Sequence, residues 1–152
     1  MSPPSPETVL RIAHVVSASM WVGAVFMASM IDWPVIERIN PSFPFELIVG
    51  QGRRVFPAVY LAIFLIGATG VGLIWLSPPL EGSALAALAL KGAAFAVMAG
   101  ITLYGTLVSW PKLQLATAAE AKLLYGAYIR RAYVVFGCGV LGLAVGIWLG
   151  EA

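Results

Sequence analysis

The sequence predicts an all-α, polytopic membrane protein: a four-transmembrane-helix bundle forming a single membrane domain, 1–152, with N and C termini both out. Three observations predict it. Of the 152 residues, 61% are hydrophobic and 11% charged, where an ordinary soluble domain carries roughly 25% charged residues. One small core cannot hide so much apolar surface, so lipid must be the solvent for much of it. The apolar residues also fall into four runs of membrane-crossing length, and Lys and Arg gather in alternate connections.

The first span is expected over residues 8–31, long enough at about 1.5 Å rise per residue to cross a hydrocarbon core of about 30 Å. Ser5, Pro6 and Glu7 precede it as an N-cap, a first-turn proline and an early acid. Residues 1–7 lack the basic start of a signal peptide, so the run is expected to be retained. The second span, 55–76, has Pro57 in its first turn and ends at Ser77-Pro78-Pro79. A third is expected over 83–110, stopping before Pro111, and a fourth over 132–149.

Between the first two spans, residues 33–54 mix Trp33, Phe43, Phe45 and Ile48 with Glu37, Arg38 and Glu46, which predicts an interfacial segment in the headgroup layer. Residues 112–131 alternate leucines with Lys112, Glu120 and Lys122 and predict a helical hairpin just beyond the membrane. The first connection carries Arg38, Arg53 and Arg54, and the third carries Lys112, Lys122, Arg130 and Arg131. The second has none. The positive-inside rule therefore puts the first and third connections in the cytoplasm. The expected location is a cell inner membrane, with both termini periplasmic or extracellular. Trp33, Trp75, Trp110 and Trp148 fall near span ends as interfacial anchors. The formal charge of +2 is thus topological, and no nucleic-acid partner is implied.

Ionisable groups inside a span are costly and mark function by default. Here they are Arg11, His14 and Lys91. Arg11, one turn into the first span, is read either as a snorkelling anchor or as part of a site. His14 is the sole histidine, about 9 Å below the start of its span, and shares a helix face with Arg11, Ser17, Met20 and Trp21. Lys91 lies about 12 Å below the start of the third span, at a similar depth. Two such groups at one level repel unless they are neutral or face a shared anionic or electron-rich ligand. Gly67, Gly70 and Gly72, with Gly139, Gly142 and Gly146 opposite, either pack helices closely or leave a slot for a flat ligand. A lone intramembrane histidine is equally readable as hydrogen-bonded structure. Cys138 reads as apolar filler and the methionines as packing residues.

His14 followed by Trp21-Val22-Gly23 resembles the first-helix pattern of the CopD-like and HemJ-type membrane proteins. Arg53-Arg54, Gly70-Val71-Gly72-Leu73 and Ala89-Leu90-Lys91 resemble further landmarks of the HemJ-type protoporphyrinogen oxidases. The resemblance implies a four-helix protein holding haem b, with functionally essential first-helix histidine and third-helix lysine. His14 would be the iron ligand. Lys91 and Arg11 would be the catalytic charges that neutralise haem propionates or porphyrin carboxylates, while Ser17, Trp21, Gly70 and Gly142 complete the cofactor site. The activity implied is porphyrin oxidation or transmembrane electron transfer. Bis-histidine ligation would require a homodimer or larger complex to supply a second histidine.

A different class of reading is a non-catalytic subunit of a larger respiratory or photosynthetic complex, docked through glycine faces and aromatic belts. CopD-like proteins suggest copper handling, but one histidine with scattered methionines is a poor copper site. A permease would need a polar path, for which only Tyr60, Thr102, Tyr104 and Thr106 are offered in the inner half.

Overall fold

The computed structural model of the protein describes residues 3–39 and 43–151. Among them every regular element is helical, and four helices are long and apolar enough to cross a membrane. Helix α1 runs Pro6–Phe26 and continues through a π-helical turn, Met27–Asp32, into Trp33–Ile39. Helix α2 is Phe45–Leu76. Helix α3 runs Gly82–Tyr104 and continues through a second π-helical turn, Gly105–Ser109, into Trp110–Gln114. Helix α4 is Ala118–Glu151. The pairs α1–α2 and α3–α4 form two helical hairpins, joined chiefly where α1 meets α4. The molecule thus has one end carrying both termini and one carrying seven of the nine Lys and Arg residues, here called the basic end. Its flanks are apolar, with Leu61, Phe64, Leu107 and Ile147 all outward. This is a membrane-embedded protein.

The helix starts follow the sequence. Ser5 Oγ accepts the Thr8 backbone N–H at 3.2 Å, and Pro6 occupies the first turn, where its missing donor is harmless. Thr117 and Glu120 cap α4: the backbone N–H and hydroxyl of Thr117 donate to one Glu120 oxygen at 3.0 and 2.7 Å. The turn between α3 and α4 is three residues, 115–117, so the expected hairpin is present. Gly82 starts α3 at φ +55°, a left-handed conformation that other residues reach only with strain.

The helices outrun the expected spans at the basic end, and two prolines explain it. The third span was expected to stop before Pro111 and the first to end at Ile31, ahead of Pro34, but each proline follows a π-helical turn. Trp33 N–H bonds Ala28 O and Trp110 N–H bonds Gly105 O, one residue further back than in an α-helix. The wider turn moves the carbonyl with which a proline ring would collide. In that register Pro34 would have served Ser29 O. It has no N–H, and the Tyr133 hydroxyl donates to Ser29 O instead, at 3.0 Å. Within each turn a buried hydroxyl bonds back to the preceding turn, Ser29 Oγ to Val25 O at 2.7 Å and Thr106 Oγ1 to Thr102 O at 3.0 Å.

Residues 33–39 therefore complete α1, and 45–54 begin α2. Pro57 lies inside α2, not in its first turn. What draws these residues into helices is an aromatic core at the basic end. Phe43, Ile48, Trp110, Leu113, Tyr125 and Ile129 are buried together. Trp110 meets Phe56 edge-on at 4.7 Å between ring centroids, and Tyr125 stacks on Tyr128 at 5.8 Å. Gly52 lies against the Trp110 indole so closely that a side chain there would collide with it. A second core, nearer the middle, gathers Trp21, Val22, Val59, Ala62, Ile66, Met98 and Val135. Cys138 packs against it as apolar filler.

Candidate functional site

At the terminal end, the side chains singled out from the sequence do converge. His14 is half-buried between α1 and α2, and its Nδ1 lies 2.9 Å from Thr69 Oγ1. The Thr69 hydroxyl also lies 2.5 Å from Leu65 O, to which it donates. A hydroxyl has one proton, and Thr69 spends it on Leu65. Toward His14 it must therefore accept, so Nδ1 carries a hydrogen, and in the neutral ring Nε2 is the nitrogen with the free lone pair. Gly70 makes room for the ring: a Cβ there would stand 3.4 Å from His14 Cε1.

Lys91 reaches from α3 toward α4, and its Nζ would stand 3.0 Å from a Cβ at Gly146. It is within electrostatic range of both His14 and Arg11. Arg11 is exposed, ion-paired with Glu7 at 2.7 Å, and its guanidinium approaches Gly150. Three cation-capable groups from two helices thus share one end of the bundle, beside Gly70, Gly146 and Gly150. The arrangement can receive an anion and offers one imidazole nitrogen to a metal or a donor.

The remaining expected site residues divide. Ser17 and Trp21 are buried on the inner face of α1. Met20, expected on the same face, is 43% exposed on the lipid flank. Gly142 faces open space, whereas Gly139 brings α4 against Val22 and Met98. Close helix packing is therefore the use of Gly139, and the contact with Lys91 belongs to Gly146. Among the described residues no three His, Cys, Asp or Glu side chains come together as a metal site.

The sequence reading did not anticipate the cavity of about 360 Å³ lying about two to five turns from His14 toward the basic end, along Trp21 to Asp32 of the first helix. Trp21, Ala28, Gln51, Phe56, Thr102, Tyr128 and Arg131 are among its lining residues, drawn from all four helices. Arg131 is more than a topology marker. It donates to Ser109 Oγ at 3.0 Å and lies over the Tyr104 ring at 5.0 Å. One signal was available. From His14 to Trp33 and from Lys91 to Trp110 is the same 19-residue interval, each ending in Trp-Pro, and Ser29 and Thr106 also correspond. The two hairpins repeat one pattern, with His14 and Lys91 at equivalent places.

Fold and site together define a small four-helix membrane protein with a histidine, a lysine and an arginine gathered at one end. No protein-family model matches the chain, and no curated protein or solved structure matches it.

Proposed function

We propose that this protein binds haem b within the membrane and acts in porphyrin oxidation or transmembrane electron transfer, as its resemblance to the HemJ-type and CopD-like group implies. The observation that carries the reading is the His14–Thr69–Leu65 hydrogen-bond chain, which holds the ring by Nδ1 and, in the neutral imidazole, leaves Nε2 for a ligand. An outer partner of this kind is the usual companion of a metal-ligating imidazole.

The residues present fit the group. His14 would hold the iron, and Lys91 and Arg11 would neutralise the propionates, which removes the repulsion among three nearby cations. Haem bound there would supply one-electron chemistry, with a potential tuned by its axial ligand. The chain's own part is binding and electrostatics. Thr69 orients the imidazole, Gly70 and Gly146 lie beside His14 and Lys91, and Glu7 steadies Arg11. In this reading the basic end faces the cytoplasm and both termini face away from it, in a cell inner membrane.

Reconstitution tests this directly. Purified protein supplemented with haem should acquire a Soret band that His14→Ala loses. Absence of the band in the wild type, with no difference on His14→Ala, would remove the proposal.

A further inference from the structure

The inner cavity has an acid and a base in its walls that do not meet. Asp32 and Arg131 both line it, and each is half-buried, yet the one ion pair among the described residues is Glu7 with Arg11. Arg131 gives one N–H to Ser109 Oγ and stands over the Tyr104 ring, which leaves other guanidinium donors unused. Charges in the wall of a low-dielectric space are costly unless each faces a counter-charge. A single ligand satisfies both if it is zwitterionic.

The polarity of the cavity along the membrane normal narrows the choice. Its charged end lies at one level, because Asp32 directly precedes Trp33 and Arg131 bonds the serine that directly precedes Trp110. Arg53 and Arg54, between the lining residues Gly52 and Val55, and Arg130, next to Arg131, are exposed. Exposed arginines do not sit in hydrocarbon, so this end lies at headgroup depth. The deeper end, at Val25, Val59 and Val135, is apolar. Met27 and Val55 line the cavity and are also 47% and 40% exposed, so the space opens sideways to lipid between α1 and α2. Phe56, Trp110, Tyr125 and Tyr128 add aromatic faces of the kind that attract an ammonium group. We propose that the cavity binds the headgroup of a phosphatidylethanolamine, with its ammonium at Asp32 and the aromatic walls and its phosphate at Arg131. The acyl chains leave between Met27 and Val55. A choline headgroup has no N–H to give Asp32. Phosphatidylglycerol would leave Asp32 without a cation, and a lipophilic amine would set a second cation beside Arg131.

The test is native mass spectrometry of the delipidated full-length protein, without haem, titrated with phosphatidylethanolamine, phosphatidylcholine and phosphatidylglycerol of matched chains. One saturable phosphatidylethanolamine site is expected, about tenfold tighter than for either other lipid, the yield of a charge-assisted hydrogen bond. Asp32→Asn should erase that preference without weakening phosphatidylglycerol, and Arg131→Gln should weaken both. His14→Ala should change none of these, which separates the site from the haem proposal. Soluble phosphoethanolamine at millimolar concentration should not displace the lipid. Equal uptake of the three lipids by the wild type, a preference that survives Asp32→Asn, displacement by soluble phosphoethanolamine, or tighter uptake of a long-chain amine would overturn the inference. The wild-type selectivity carries the test if a variant does not fold.

Discussion

Gly139 and Gly142 lie three residues apart on α4, and a sequence reading treats them alike, yet the structure predicts opposite outcomes for their replacement by alanine. A Cβ at Gly139 would stand 2.6 Å from Val22 Cγ2 and 3.2 Å from Met98 Cε. Val22 cannot yield easily, since its branched side chain is fixed against a helix and only 9% exposed. Met98 can shift its terminal methyl, so the Val22 contact decides the sign. Relieving it means moving α4 away from α1 along the seam that joins the two hairpins. Overpacking of this kind costs about 1–3 kcal/mol, against a gain of about 1 kcal/mol from replacing glycine by alanine within a helix. The net expectation is a loss of up to about 2 kcal/mol. At Gly142 a Cβ meets nothing within 4 Å, so only the propensity gain remains. Reversible unfolding in mixed micelles, followed by helical circular dichroism, should rank Gly142→Ala at or above wild type and Gly139→Ala below it. Equal effects at the two positions would refute the packing of α4 on α1 described above.

Two further outcomes follow from the basic end. Gly52→Ala should destabilise the protein by about 1–3 kcal/mol, because its side chain would enter the space held by the Trp110 indole; unfolding followed by tryptophan fluorescence measures it, and an unchanged midpoint would contradict that contact. Tyr133→Phe should cost about 1 kcal/mol by removing the donor to Ser29 O, and amide exchange should quicken around residues 29–34 without change at the terminal end.

How much was legible in the sequence depended on whether the cause was local. Four spans, their start signals and the separation of basic from non-basic connections follow from hydropathy, caps and charge, which act within one turn or one loop. The helix ends were misjudged because Pro111 was read as a stop and the mixed composition after Ile31 as an interfacial segment. What lets the helices pass Pro34 and Pro111 is a π-helical turn, and at Pro34 also the Tyr133 hydroxyl, which reaches Ser29 O from 104 residues along the chain. His14 and Lys91 were legible as costly groups at one depth. Thr69 was not, since one threonine in an apolar run looks like any other until the fold sets it beside a histidine 55 residues distant. The inner cavity escaped for a similar reason: its walls come from four helices, and none of its residues is unusual alone. Arg131 shows how one signal can mask another, because a basic residue at a span end satisfies the topology rule whether or not it also reaches inward.

The account turns on the state of a single imidazole, and a chain with one histidine allows that state to be read without assignment. Nitrogen-15 NMR of the protein labelled only at histidine should show, in membranes at neutral pH, a protonated Nδ1 and an unprotonated Nε2, with the Nε2 signal alone displaced when haem is added. A hydrogen on Nε2, or two protonated nitrogens that haem leaves untouched, would contradict it.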